Sequence, residues 1–266
     1  MSVHDGYQVV AVHYGSLDTT RADTYLNYGD YREVDGPIRL DYFFWIVRGG
    51  GRTVVVDTGF DPEVGRRRGR TTLVEPRAAF EALEVEDRDD TVLVLSHAHY
   101  DHVGNVDRFR NARVLMADAE YDFWIAHPRD QHLTRQLVED RELEHLRGLR
   151  ASGRLELVSG ELEVAPGVRL LPAPGHTPGE LMVSVQGAAG PILLAADAVH
   201  FDEELERRRP FRHMCDLVAS ADTYDVIDAL AHGDPAHRVV AGHDLDMTGL
   251  PRDPRLPDHA VILSAD

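Results

Sequence analysis

The chain of 266 residues has no lysine; all 28 of its Lys+Arg positions are arginine. A lysine amine is therefore unavailable for a Gly-Lys phosphate loop, a cofactor Schiff base or a Ser-x-x-Lys nucleophile. Cysteine is nearly absent as well. Cys215 alone cannot form an internal disulfide or a Cys-rich zinc knuckle. No hydrophobic run approaches the ~20 residues of a membrane span, and no basic segment followed by an apolar stretch opens the chain as a secretory signal would. A cytoplasmic protein with no membrane partner is the expectation. Positive charge is scarce too, with 46 Asp+Glu giving a net −18, which disfavours nucleic acid because phosphate binding depends on Lys and Arg. The arginine runs at 66–70 and 207–209 read as solvated loops, although either could hold an anion.

What the chain does have is imidazole and carboxylate, the donors that suit borderline metals such as zinc: 15 His accompany the 46 acids. Hydrophobic residues make up 43%, enough for a sizeable core, and the length favours one domain over residues 1–266. Short β-type runs recur at 42–47, 53–56, 91–95, 114–117, 168–171, 181–185, 192–196 and 239–241. Helical spacing occurs at 76–83, 103–109 and 223–231, and the polar stretch 130–149 accommodates one or two amphipathic helices through Leu133, Leu137, Leu146 and Leu149. Interleaved strands and helices predict an α/β layered fold. The first 40 residues are hard to assign beyond a β-type run at 7–13.

The chemistry concentrates in Ser96-His97-Ala98-His99-Tyr100-Asp101-His102, directly after the apolar run 92–95. Where a strand ends and the chain turns, His97 and His99 can face one metal while Asp101 and His102 swing toward another. Three more apolar runs end on donors of the same type: His176 in Pro174-Gly175-His176-Thr177-Pro178-Gly179, then Asp197, then His243 in Gly242-His243-Asp244. Rigid sheets gather functional residues at strand ends in this way. Two sites can be built: His97, His99 and His176 on one ion, Asp101, His102 and His243 on the other, with Asp197 bridging.

These residues, in this order, resemble the metallo-β-lactamase fold superfamily, and Val55-Val56-Asp57-Thr58-Gly59 resembles the strand-turn that precedes its metal motif. The resemblance runs from about residue 40 to 247 and implies a four-layer αββα sandwich with its site at one edge of the two sheets. It also implies that Asp57 orients a metal-bound imidazole. Only 266 − 243 = 23 residues follow His243, too few for the glutathione-binding domain of glyoxalase II. Asp197 stands where zinc β-lactamases commonly place Cys.

The segment before Asp57 and the insertion before His176 look most like the N-acyl homoserine lactonase group. The implied partner is a small lactone or ester, opened by a hydroxide shared between two divalent cations. Zinc is favoured, with iron, manganese or cobalt open. Asp101 is the implied proton shuttle. His200 stands where that group has a substrate-contacting Tyr, and imidazole can donate the same kind of bond; a helix-cap or surface role is the alternative. Phe201, Phe211 and His213 are candidate pocket residues. A thioester hydrolase, a tailoring hydrolase of secondary metabolism, and a degenerate metal-binding sensor are the other readings. The 130–149 insertion either covers the site or contributes to a homodimer.

Overall fold

The computed structural model describes residues 6–126, 135–233 and 238–264. Strands β1 (Gln8–Thr20), β2 (Pro37–Gly49), β3 (Arg52–Val56), β4 (Thr71–Thr72), β5 (Thr91–Val94), β6 (Arg113–Ala117), β7 (Leu155–Val158) and β13 (Ala260–Ile262) form one sheet, ordered β13-β1-β2-β3-β5-β6-β7 with β4 alongside β1. A second sheet is ordered β12-β11-β10-β9-β8, from β8 (Leu162–Ala165), β9 (Val168–Pro172), β10 (Leu181–Gly187), β11 (Gly190–Ala196) and β12 (Arg238–Ala241). The described helices are α1 (Arg21–Thr24), α2 (Pro62–Arg67), α3 (Pro76–Ala82), α4 (Tyr100–Val103), α5 (Asp118–Tyr121), α6 (Asp140–Ala151), α7 (Asp202–Arg207) and α8 (Leu217–Gly233).

The layering follows from side-chain alternation. Successive strand residues point to opposite faces, so a strand apolar on both faces must be covered on both. Val9, Ala11, Phe43, Trp45 and Val47 of the first sheet meet Leu170, Val183, Val185 and Leu194 of the second in a core between the sheets. Their neighbours Val10, Val12, Phe44 and Ile46 point the other way, toward Phe80 of α3 and Leu143, Leu146 and Leu149 of α6. On the far side, Leu171, Met182, Leu193 and Ala195 pack on Tyr224 and Ile227 of α8. The result is the expected order of helices, sheet, sheet, helices. Gly50 and Gly51, at φ 57° and 73°, form the two-residue turn between paired Gly49 and Arg52, where the hairpin needs two left-handed residues.

The first sheet runs β3, β5, β6 and β7 in parallel, and β11 and β12 are parallel in the second. The loops after β3, β5, β11 and β12 therefore carry Asp57, residues 96–102, Asp197 and His243. The strand at 42–47 lengthens to Pro37–Gly49 and the helix at 223–231 to Leu217–Gly233, and three further predicted spans change. The strand at 7–13 extends through β1 to Thr20, across an irregularity between His13 and Gly15. The helix predicted over 103–109 is instead α4 and a separate 3₁₀ turn at Val106–Arg108. Between them Asn105 Nδ2 donates to Thr58 O and Phe60 O at 3.0 Å each, tying that break to the strand-turn of Asp57. The described part of the 130–149 insertion holds one helix, α6, while 130–134, with Leu133, lie outside the described residues.

Candidate metal centre

Asp57 follows β3 with φ 65°, a left-handed conformation that Asp tolerates better than most side chains. Its Oδ1 accepts from Ser96 N at 2.8 Å, and its Oδ2 accepts from Ser96 Oγ and His102 Nδ1, each at 2.8 Å. One carboxylate thus holds the start of the 96–102 loop and turns His102 Nε2 outward. His243 is oriented similarly: Nδ1 donates to Asp41 O at 2.7 Å.

The other six sequence-predicted ligands meet around Asp197. His97 Nε2 and His176 Nε2 each lie 2.9 Å from His99 Nδ1 and 3.8 and 3.5 Å from Asp197 Oδ2. His102 Nε2 and His243 Nε2 each lie 3.2 Å from Asp197 Oδ1, and Asp101 Oδ1 is 4.0 Å from His102 Nε2. In His97, His99, His176 and Asp197, and in Asp101, His102 and His243, the donor atoms come within 4.8 Å of one another, all on buried residues. Asp197 presents one oxygen to each side.

The electrostatics favour a cation here. Burial, reinforced by neighbouring imidazoles, holds His97 and His176 well below the usual histidine range; burial likewise lowers His99. Burial thus favours the neutral form of all three rings, whose ring nitrogens crowd together at 2.9 Å around His99 Nδ1. Burial opposes the charge of Asp197, but His102 and His243 hold its carboxyl well below the ordinary value. His102 Nε2 and Asp197 Oδ1 are buried with no well-directed hydrogen bond, as two inward donors waiting for a shared ion would be. Three imidazole nitrogens and a carboxylate match the donor preference of zinc.

His200 is fully buried, which removes the surface reading. Its Nε2 lies 3.2 Å from Asp197 Oδ2, its Nδ1 lies 3.2 Å from Glu204 Oε1, and its ring stacks on Phe211 at 3.8 Å. Burial would lower its pKa, but the Glu204 and Asp197 carboxylates raise it to about 10. With His243 and Asp197 it forms a third group with metal-ligand spacing. Phe211 and His213 line the cavity over the cluster, while Phe211 also packs in the same core as Phe201, which does not line that cavity.

That cavity, about 320 Å³, is lined by Leu17, Leu40, Tyr42, Arg70 and most of the cluster. It shares His99, Leu137, His176, Arg212 and His213 with a neighbouring chamber of about 660 Å³ that includes Tyr25, Tyr28 and Met214. Two supporting carboxylates escape sequence reasoning. Glu204 lies one helical turn beyond His200, a spacing that was readable, and accepts from Tyr224 Oη at 3.0 Å. Glu120 has no local signal: its Oε1 accepts from Ala98 N and Trp124 Nε1, and its Oε2 accepts from Gly179 N.

An N-acyl homoserine lactonase of Bacillus sp. is 28% identical over 162 residues, 60% of this chain and 58% of that protein, so the match spans less than two thirds of its length. The N-acyl homoserine lactonase of Bacillus thuringiensis is 27% identical over 209 residues, 73% of this chain and 77% of that one. Among solved structures, a quorum-quenching N-acyl homoserine lactone lactonase superposes with a TM-score of 0.73 at 19% identity, covering 92% of this chain and 95% of that one. Residues 39–243 match the Metallo-beta-lactamase superfamily, and with two-thirds of its length and more inside that match the chain belongs to this family.

Proposed function

We propose that the protein is a dinuclear metal-dependent hydrolase, one domain over residues 1–266, that opens a lactone or simple ester. The observation that carries this reading is Asp197, with one oxygen toward His97 and His176 and the other toward His102 and His243, at the floor of an open cavity. The named activity of the Bacillus relatives supports a lactone as substrate. Divalent cations, with zinc favoured by the donor set, would supply a water made acidic enough to attack at neutral pH and would polarise the carbonyl.

The chain's own residues do the rest. Asp57 and the Asp41 carbonyl fix the tautomers of His102 and His243, so that both turn Nε2 inward. Asp101 lines the cavity beside them, and is the proposed group to take the proton lost by the attacking water and hand it to the departing alkoxide. His200 Nε2 is the proposed donor to the developing oxyanion, its ring held by Glu204 and Phe211. Trp124, edge-on to His99 at 5.5 Å, helps exclude water from that side. The lone Cys215 supports a reducing, cytoplasmic setting.

Metal analysis of the purified protein, joined to a panel of acyl homoserine lactones, other γ- and δ-lactones and acyl thioesters read by mass, tests the proposal. Two equivalents of metal and addition of water to a lactone are expected. His99→Ala and Asp197→Ala should abolish turnover with loss of metal, and His200→Ala should keep the metal but lower kcat by roughly 10²-fold. Less than one equivalent of metal, with no activity gained on reconstitution, overturns the reading.

A further inference from the structure

We propose that Arg70 is an anion-recognition residue on the wall of the catalytic cavity, and that the preferred substrate is a lactone or ester carrying a second, non-reacting carboxylate. The inference rests on the hydrolase reading and narrows its substrate class.

The arginines at 66–70 have separate fates. Arg66 is exposed and pairs with Glu63 at 2.7 Å. Arg67 and Arg68 both pair with Glu139, at 2.7 and 2.6 Å, and Arg68 also lies over the Tyr100 ring at 4.1 Å. Gly69, at φ 73°, then reverses the chain in a conformation that a side chain would strain, and Arg70 N closes the turn by donating to Gly65 O at 2.8 Å. Arg70 consequently leaves its neighbours and enters the cavity wall with Tyr42, Tyr100, Asp101, His200 and His243.

Its guanidinium is fixed without a direct ion pair, although the charge of Asp101 is felt there. Nε donates to Tyr100 Oη at 2.9 Å and Nη1 to Arg68 O at 2.7 Å. Among the described residues no carboxylate lies within ion-pair distance of it, in a chain with 46 acids. The other arginine on this wall, Arg212, is matched: it lies 3.3 Å from Asp23 Oδ1 and donates to Asp23 O at 3.0 Å. Nη2 of Arg70 is thus the cationic donor left for a ligand, suited to an end-on contact with one carboxylate oxygen. Tyr42 connects this corner to the candidate ligands, its ring edge-on to His243 at 5.0 Å. A net charge of −18 repels anions at long range, so selection of an anionic substrate requires such a local cation.

Arg70 could instead serve only as a counter-charge for nearby Asp101, in which case its loss would harm every substrate alike. The two roles separate with a matched pair, N-glutaryl and N-glutaramyl homoserine lactone, which differ only in a terminal carboxylate against a carboxamide. The metal-loaded wild type should favour the carboxylate by roughly ten- to a hundredfold in kcat/KM, expressed mainly in KM. Arg70→Gln should erase that preference, lowering kcat/KM for the carboxylate by roughly tenfold more than for the carboxamide with the metal content unchanged, and Arg70→Lys should retain part of it. Equal handling of the pair by wild type, or an equal fall for both in Arg70→Gln, overturns the proposal. If neither lactone is hydrolysed, the lactonase reading fails for this class and calorimetry decides the subsite. The unhydrolysed N-glutaryl lactone must then bind the wild type at least roughly tenfold more tightly than its carboxamide counterpart, a difference that Arg70→Gln removes; equal affinities overturn it.

Discussion

Asp57 shows how much one side chain can organise around a strained backbone. Its two oxygens receive Ser96 N, Ser96 Oγ and His102 Nδ1, so the same carboxylate fixes the entry to the metal-motif loop and the tautomer of one candidate ligand. The left-handed φ of 65° is sustained because those bonds are buried and have no competing water. Asp57→Ala leaves Ser96 N without its acceptor and His102 free to turn. A loss of about 2–4 kcal/mol in folding stability follows from the abandoned buried donors, and metal affinity should fall by roughly 10–100-fold although Asp57 faces no ion. Denaturant unfolding and competition with a chelator measure the two effects. Unchanged metal affinity would mean that His102 is oriented by something else. Arg70 makes the complementary point, since in the sequence it is one of a run of arginines and its separate direction depends on the Gly69 turn.

At the scale of an element, α6 buries a carboxyl on its core-facing side. Glu142 is buried beside Leu143 and Leu146, and burial, with Glu139 adding repulsion, raises its pKa from 4.5 to about 8. In the fold it stays protonated at neutral pH, whereas in the unfolded chain it ionises. Its stabilising contribution is therefore complete below about pH 4.5 and is lost as the pH rises through about 8. Glu142→Gln is permanently neutral, so its stability should gain on the wild type across that window, by at most ~5 kcal/mol at the upper end. Parallel denaturation curves with a constant difference between them would refute a raised Glu142. Nothing in the spacing of 130–149 announced this group. The strands were legible because β-branched runs such as Val54-Val55-Val56 and Val92-Leu93-Val94 are apolar on both faces. The helix after the metal motif was overextended because Asn105, which interrupts it, makes its bonds to residues some 45 positions earlier. The candidate ligands were legible because His97 to His102 form one local motif and His176, Asp197 and His243 each follow an apolar run, while Glu120 connects segments far apart in sequence and leaves no local pattern.

For the whole molecule, the decisive fact is that neither sheet holds all of the candidate ligands. His97, His99, Asp101 and His102 come from the loop after β5 of the first sheet, while His176, Asp197 and His243 follow β9, β11 and β12 of the second. Glu120 bridges the same two halves, receiving Ala98 N from one loop and Gly179 N from the other. Any ion held by both sets must bind the docked sandwich far better than the separated sheets, so metal binding is coupled to sheet packing. At a free metal concentration about a thousand times Kd the linkage amounts to ~4 kcal/mol, which for a chain of this size corresponds to a rise in Tm of roughly ten degrees. Calorimetry with and without a chelator should show that fall for the wild type. Asp197→Ala should melt at nearly the same temperature in both conditions, because the carboxylate common to the two halves is gone. A wild-type Tm indifferent to the chelator would mean that the two sheets dock without help from any ion, and that the convergence of seven donors at their edge serves packing alone.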